Sequence, residues 1–242
     1  RFEKLVELME SNPTIDVCGS WMEAIGKSKG KIFKYLEKDE EIKALLLKQT
    51  AFGHPSVIFK KKSFKNIRYD KKFQHIEDYE LWARISTTHN FHNIQEVLVY
   101  YRIHENQVSN IYNAIQKKRN IDIRLSLLNK LDYDKVKYSN EFLKELFLKK
   151  KYISKKELVK FFEWIKIIIK CNNKQKVFDK KLFINIVKGF SRNLVNRLFF
   201  TDLFDIGIDK KWRSKVLFYL PFREFLYVFT KVINVRLKVL FR

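Results

Sequence analysis

The sequence predicts an α/β region over residues 1–112, followed by an all-helical region over residues 113–242. In the first region, short runs of β-branched and aromatic residues alternate with helical stretches, a pattern typical of α/β folds. After residue 109, apolar residues recur almost only at helical spacing. Hydrophobic residues make up 46% of the chain, with 6 Gly and 3 Pro, which supports a buried core and excludes a disordered or linker-dominated chain.

The elements of the first region follow from local signals along the chain. Apolar spacing predicts a helix over residues 1–9, and the Ser11-Asn12-Pro13 segment ends it. A short buried strand at 15–20 precedes a basic turn at 26–30. The remaining predicted elements are a helix at 37–49, a strand at 56–59, a helix at 76–86 that opens with an acidic pair, and a strand at 97–101.

The charge of the chain indicates a polyanionic partner. There are 50 Lys and Arg against 27 Asp and Glu, giving a net charge of +23 and a pI near 9.8. Residues 151–242 hold 22 of the basic and 7 of the acidic side chains, hence +15 of that excess. Nucleic acid and an anionic membrane surface both attract such a charge. A second cause stays open, because a base-composition bias of the genome also enriches a chain in Lys, Asn, Ile and Phe.

Several classes of protein are excluded by what the sequence lacks. No uncharged apolar run approaches the roughly 18 residues that span a bilayer, so an integral membrane protein is disfavoured. The first residues show no secretory leader. The two widely spaced cysteines, Cys18 and Cys171, argue against a disulfide scaffold and fit a reducing compartment.

The histidines and the one serine turn do not form a known catalytic motif. All five histidines lie between residues 54 and 104, but their spacing fits neither a His-x-x-x-His helix site nor a zinc knuckle. The segment Gly53-His54-Pro55-Ser56 lacks the Gly-x-Ser-x-Gly pattern of a hydrolase. No Gly-rich phosphate-binding loop is present in the sequence.

An acidic pair offers better chemistry. Glu77 and Asp78 open the predicted helix, and Asp78, Trp82 and Ile85 share one helical face. Acidic residues are common at helix starts, where they suit the helix dipole, so a purely structural role stays open. The indole one turn later favours function, because an indole face stacks on sugar rings beside a carboxylate able to accept a proton.

Three motifs in order resemble the acceptor-side half of family-2 glycosyltransferases of the GT-A fold. The opening helix resembles the one that follows the metal-binding Asp-x-Asp of that family, and residues 15–20 resemble its next strand. The resemblance covers roughly residues 1–110 and implies a partial GT-A fold. The motifs are His54-Pro55-Ser56-Val57, Glu77-Asp78-Tyr79-Glu80-Leu81-Trp82 and Tyr101-Arg102-Ile103-His104-Glu105-Asn106-Gln107-Val108-Ser109.

The resemblance implies transfer of a sugar from a nucleotide-sugar donor to an acceptor hydroxyl, with inversion. It assigns Asp78 as the catalytic base and Glu77 as a group that binds or orients the acceptor. Trp82 would form an apolar wall of the acceptor pocket. His54 would contact the acceptor or, as the alternative, cap a strand. The acceptor would be a glycan or a lipid-linked glycan, in cell-surface polysaccharide synthesis.

The leaving nucleoside diphosphate needs positive charge, which a divalent Mn or Mg ion supplies in this family. Arg102 and His104 are the candidates to lie near the diphosphate or the metal, with His104 as a metal ligand or, alternatively, an ordinary loop residue. The family's donor half and its Asp-x-Asp would precede residue 1. We therefore expect a truncated chain without measurable affinity for nucleotide-sugars with manganese, and we interpret Asp132-Tyr133-Asp134 as a chance match.

The end of the chain interleaves aromatic and basic residues, which is typical of helices at a bilayer interface. This segment predicts binding to an anionic membrane surface. Together with the resemblance, it implies a cytoplasmic protein that lies peripherally at the inner face of a bacterial membrane. An amphipathic helix packed on the α/β region is the alternative. The residues are Trp212, Arg213, Lys215, Phe218, Tyr219, Phe222, Arg223, Phe225, Tyr227, Phe229, Lys231, Arg236, Lys238, Phe241 and Arg242.

A rival interpretation is a non-catalytic basic helical protein that binds nucleic acid or an anionic membrane surface. The net charge supports it. The carboxylate pair at Glu77 and Asp78 would repel phosphate, and the sequence has no helix-turn-helix, zinc-finger or RNA-recognition signature. Nucleic acid is therefore disfavoured as a partner.

Overall fold

The computed structural model describes residues 1–105, 107, 111–148, 153–200 and 216–240, with side chains up to residue 232. The chain divides into two compact units. The first comprises Arg1–Lys130 and Lys176–Leu182, and the second comprises Leu131–Gln175 and Phe183–Arg242. The first is α/β and the described part of the second is helical, as the sequence predicts. The predicted domain limits, 1–112 and 113–242, stay a prediction.

A mixed four-stranded sheet forms the centre of the first unit. The strands are β1 (Val17–Gly26), β2 (Ile32–Phe33), β3 (Ile58–Phe59) and β4 (Phe91–Ile103). β4 runs parallel to β1 along its whole length, from Val17 opposite Phe91 to Gly26 opposite Ile103. β2 and β3 pair antiparallel with the two ends of β1. Because β4 occupies one edge of β1, both short strands share the other edge.

Pairing between β1 and β4 extends both strands beyond the local sequence signals. The sequence predicts strands at 15–20 and 97–101, whereas β1 continues to Gly26 and β4 has 13 residues. Gly26 ends the pairing at a positive φ of +85°, and a Cβ there would lie 2.7 Å from the Ile103 carbonyl oxygen. Only glycine fits that approach without strain. The parallel pair thereby delivers Arg102 and the residues after it to a fixed place.

Four helices accompany the sheet: α1 (Phe2–Ser11), α2 (Asp39–Leu45), α3 (Glu77–Ile85) and α4 (Asn113–Leu128). α1 packs Leu5 and Met9 against Ile15 and Cys18 in one apolar cluster. The predicted strand at 56–59 is wrong in its first half, because His54–Ser56 forms a 3₁₀ turn and only Ile58–Phe59 pairs. Pro55 explains the turn, since it has no N–H to give to a sheet. A second 3₁₀ turn spans Lys71–Phe73.

The second unit is built around buried aromatic rings. Its core includes Phe161, Trp164 and Phe190, and Ser139 caps the first helix by accepting a hydrogen bond from the Phe142 amide. Asp134, in the Asp-x-Asp match, accepts hydrogen bonds from the amides of Val136 and Lys137 and so closes a turn. The helices are Asn140–Phe147, Lys155–Gln175, Lys180–Phe199, most of which belongs to this unit, and Phe222–Leu240.

The last helix exposes an apolar face. Phe222 and Phe229 are 76% and 52% exposed, and Leu226 lies between them at helical spacing with 41% exposed. No helix among the described residues combines the length and the apolar composition needed to cross a membrane. Part of the predicted interfacial segment falls outside the described residues, or outside the described side chains: Trp212, Arg213, Lys215, Arg236, Lys238, Phe241 and Arg242.

Candidate functional site

A cavity of about 1410 Å³ lies in the first unit. The end of β4, the His54–Ser56 turn, the start of α3 and the first half of α4 all contribute to its wall. Five of the six sequence-predicted site residues line it: His54, Glu77, Asp78, Arg102 and His104. These residues are up to 50 positions apart in the sequence, and the fold brings them to one surface.

Asp78 lies in the first turn of α3, where the helix dipole favours a carboxylate. Its side chain is 21% exposed, and one oxygen lies 3.6 Å from Nδ1 of His54. Burial raises the pKa of Asp78, while His54 and a hydrogen bond from the Tyr79 amide oppose this and neighbouring Glu77 adds to it. A carboxyl group whose pKa is raised in this way accepts a proton more readily than an exposed aspartate.

His54 connects Asp78 to a tyrosine that the sequence analysis missed. The Tyr69 hydroxyl lies 3.3 Å from Nε2 of His54, on the opposite side of the ring from the nitrogen that faces Asp78. Burial raises the pKa of Tyr69, and the charges of Asp78 and Glu77 raise it further. Tyr69 follows an irregular segment without hydrophobic periodicity, so no sequence signal identified it.

The turn that carries His54 is fixed to the sheet by Ser56. Ser56 is fully buried. Its hydroxyl accepts a hydrogen bond from the Ser20 amide at 3.1 Å and donates one to the Gly53 carbonyl oxygen at 2.8 Å. Ser56 is therefore enclosed in the scaffold. His54 is 46% exposed and lines the cavity, and the two alternatives for its role stay predictions.

Two tyrosines from the sheet side complete this wall. Burial raises the pKa of Tyr35 to about 12, with further contributions from Tyr101 and Asp78. The Tyr101 hydroxyl accepts a hydrogen bond from Nε2 of Gln107 at 3.0 Å, and the same amide reaches the Arg102 carbonyl oxygen at 3.2 Å. A Cβ on Gly53 would lie 2.6 Å from Cε of Met22 and 3.0 Å from the Tyr35 hydroxyl, so this glycine makes room for both side chains.

The entry to α3 is held in an uncommon conformation. His75 has a positive φ of 72° and stacks on Tyr112, with the ring centroids 3.6 Å apart. Its carbonyl oxygen accepts a hydrogen bond from Nε2 of Gln116 at 2.6 Å. Residues outside glycine adopt such angles only where the surroundings hold them. α4 thus fixes the backbone that leads into the Glu77-Asp78 pair.

Glu77 has a buried oxygen without a partner. Its Oε2 is inaccessible to solvent and makes no hydrogen bond within the described part of the chain. Glu77 also lines the cavity. A buried carboxylate oxygen without a hydrogen bond costs free energy.

Trp82 differs from the other five residues, because it lies in the core. It is 1% exposed, does not line the cavity, and packs against Phe52 and Phe64 at centroid distances of 5.4 and 6.4 Å. Phe52 does line the cavity. The geometry therefore gives the apolar wall to Phe52 and places Trp82 behind it, while a direct role of Trp82 in acceptor binding stays a prediction.

Arg102 and His104 are exposed at the end of β4. An exposed ion pair joins Lys27, in the turn after β1, to Glu105, in the loop after β4. Asn106, Val108 and Ser109 of the third motif lie outside the described residues. Within the described ranges no group of three or more His, Cys, Asp or Glu side chains is placed to hold a metal ion. The described residues thus do not fit a complete metal site, and His104 would supply one ligand only.

Comparison with known proteins finds two relatives with glycosyltransferase names. An uncharacterized glycosyltransferase of Methanocaldococcus jannaschii is 37% identical over 108 residues, which are 43% of this chain and 37% of the relative. An uncharacterized glycosyltransferase of Haemophilus influenzae is 26% identical over 223 residues, 79% of this chain and 67% of the relative. No family model and no solved structure matches.

These matches support a glycosyltransferase relationship for the chain. The chain spans just over a third of the length of the archaeal relative and about two thirds of that of the Haemophilus relative. The cavity of the first unit is lined by some residues from each of the three motifs named in the sequence analysis.

Proposed function

We propose that this chain forms the acceptor side of an inverting, nucleotide-sugar-dependent glycosyltransferase of family 2, with a partial GT-A fold. The observation that carries the proposal is the position of Asp78, a half-buried carboxylate in a cavity of about 1410 Å³ that Arg102 and His104 also line. The two relatives named glycosyltransferases support the same reaction class. A cavity of this size accommodates sugar rings together with a phosphate group.

Asp78 acts as the base in a single displacement. The acceptor hydroxyl oxygen forms the new bond to the anomeric carbon as its proton moves to a carboxylate oxygen of Asp78. The bond between that carbon and the donor's phosphate oxygen breaks, and its electron pair leaves with the nucleoside diphosphate. Attack from the face opposite the leaving group inverts the configuration.

His54 helps Asp78 to stay ionised although it is buried. A protonated imidazole 3.6 Å from the carboxylate favours the charged form, and this lowers the pKa that burial raises. Tyr69 orients the ring from its other nitrogen. His54 is exposed enough to contact the acceptor as well, as the sequence analysis predicts.

The remaining residues bind the two substrates. Glu77, which lines the cavity, accepts a hydrogen bond from an acceptor hydroxyl, and Phe52, supported by Trp82, provides an apolar surface for a sugar ring. Arg102 offers a guanidinium to the diphosphate, with His104 beside it. No step is assigned to a Mn or Mg ion, because the described residues complete no metal site, and His104 as a metal ligand stays a prediction.

The decisive test compares two isosteric changes in the complete gene product. Asp78→Asn should lower kcat by about 10² to 10⁴, because the carboxylate that takes the proton is lost while its shape is kept. Asp132→Asn, at an exposed position of the second unit, should leave transfer unchanged. Transfer is measured with a panel of nucleotide-sugars and glycan acceptors. Retained activity in Asp78→Asn, or loss in Asp132→Asn, would overturn the assignment.

We further propose that the last helix binds an anionic membrane surface, at the cytoplasmic face of a bacterial membrane where polysaccharide acceptors are glycosylated. The exposed stripe of Phe222, Leu226 and Phe229 supports this, together with the basic composition of residues 151–242. Flotation with anionic vesicles across a salt series tests it. Apolar insertion persists at high salt, whereas binding to DNA, the rival partner, weakens steeply.

A further inference from the structure

A second cavity of about 410 Å³ lies in the first unit, beside the one that holds Asp78. We call it the basic groove. It combines an apolar floor with a cationic rim, and the described residues that line it include no acidic side chain. They are Phe59, Lys61, Phe64, Lys65, Ile67, Arg68, Tyr69 and Leu81.

The floor of the basic groove is aromatic and partly uncovered. Phe59 and Phe64 pack with ring centroids 4.4 Å apart, and Phe64 and Leu81 are buried below. Phe59 remains 45% exposed at the end of the short strand β3. Covering such a ring with an apolar chain is favourable by about 25 cal/mol per Å² of apolar surface removed from water.

The rim carries positive charge on one hydrogen-bonded guanidinium and on two exposed lysines. Nη1 of Arg68 donates to the carbonyl oxygens of Ile67 at 2.8 Å and Lys65 at 3.1 Å, so its guanidinium is held in place. Lys61 and Lys65 are exposed on the same rim. A positioned guanidinium flanked by flexible ammonium groups is suited to a phosphate ester.

The basic groove adjoins the catalytic cavity through Tyr69. This residue lines both, and its hydroxyl faces His54 at 3.3 Å while 48% of the residue remains exposed. Leu81 in the groove and Asp78 in the cavity are three residues apart on α3, hence on neighbouring positions of one helix face. A single long molecule can therefore occupy both.

We infer that the basic groove binds an amphiphilic phosphate ester, an apolar chain joined to a phosphate or diphosphate, and that this is the anchor of the acceptor whose sugar lies near Asp78. The link to the acceptor rests on the proposed function; the binding of the amphiphile does not. The apolar chain covers Phe59 and Phe64, and the phosphate lies among Lys61, Lys65 and Arg68.

Calorimetry with geranyl diphosphate, a soluble amphiphile of this class, tests the inference on the complete gene product. The titrations are made at about 0.15 M salt, where the Debye length of about 8 Å suppresses long-range attraction to the basic chain. Geranyl diphosphate should bind at least ten times more tightly than inorganic pyrophosphate, which lacks the apolar chain, and than uncharged geraniol, which lacks the diphosphate. Equal binding of pyrophosphate would reduce the groove to an adventitious anion site and overturn the inference.

Matched charge reversals locate the ligand. Lys65→Glu should weaken geranyl diphosphate binding at least tenfold, whereas Lys62→Glu, an exposed neighbour outside the groove, should change it less than twofold. Unchanged unfolding temperatures of both variants show that the fold is intact. Equal losses in the two variants, or no loss in Lys65→Glu, would refute the site. If geranyl diphosphate binding depends on Lys65 but the Asp78→Asn variant retains glycosyl transfer, the groove still binds the amphiphile and only its link to the acceptor is refuted.

Discussion

The first unit gathers carboxylates and histidines around one cavity, whereas the described surface of the second unit presents aromatic rings and cations at one helix. In the first unit, Asp78 and Glu77 are partly buried, and burial raises the pKa of Asp78. In the second, Phe222 and Phe229 stand exposed. A buried carboxylate is suited to chemistry and an exposed ring to a surface, so the two units call for different substitutions and different assays.

The largest effect is expected from the core behind the cavity. Trp82→Ala should lower the free energy of unfolding by about 3–5 kcal/mol, because the indole is almost completely buried against Phe52 and Phe64. Denaturant unfolding measures the loss. Trp82→Phe should restore most of the stability and keep KM for the acceptor. A raised KM in a stable Trp82→Phe variant would instead show direct acceptor binding by Trp82.

The next effect separates the units. Replacing Phe222 and Phe229 together by Ser should weaken vesicle binding at least tenfold, since each inserted ring contributes about 1.5–3 kcal/mol. Transfer to a water-soluble acceptor should not change. Asp78→Asn should show the reverse pattern. Equal flotation of the double variant and the wild type would contradict a membrane role for this helix.

A smaller effect concerns the pH dependence of catalysis. His54→Gln should move the acid side of the kcat/KM profile to higher pH, because a protonated His54 lowers the pKa of Asp78 and its loss leaves the raising effect of burial unopposed. Tyr69→Phe keeps the imidazole and should shift the profile less. If the acid limb of the kcat/KM profile lies at the same pH in wild type and in His54→Gln, the 3.6 Å contact between His54 and Asp78 does not influence catalysis.

The smallest effect lies at the other end of α3. Lys130 donates to the Ser86 hydroxyl at 3.0 Å, and burial lowers its pKa to about 8 from the usual 10.5. Since the folded state binds this proton more weakly than the unfolded state, stability should rise as pH increases from about 8 to 10.5. Solvent screening of the partly exposed amine limits the gain to about 1 kcal/mol.

Lys130→Met should remove that rise, measured as the slope of unfolding free energy against pH. Lys166→Met, which removes an exposed lysine of the second unit, should leave the slope unchanged. A slope that survives in Lys130→Met would assign the effect to other groups.

The helix at Glu77 and the strand before His104 were predictable because each has a strong local signal. The acidic pair marks the start of α3, and β-branched and aromatic residues mark β4. Tyr69 and Tyr35 carry no such signal, since they lie in loops and meet the site only through residues more distant in the sequence. The burial of Trp82 could not be predicted either, because helical spacing shows which residues share a face but not whether that face lines a cavity or packs in the core.

Local periodicity and residue type were enough to predict the α/β class of the first region, the helical character of the second, and the residues of the three motifs. How those residues come together depends on the packing of remote segments. Parallel pairing of β1 and β4 carries Arg102 and His104 to the cavity, and burial at the start of α3 sets the electrostatics of Asp78. Distances and desolvation arise only when remote segments pack, and no local pattern encodes them.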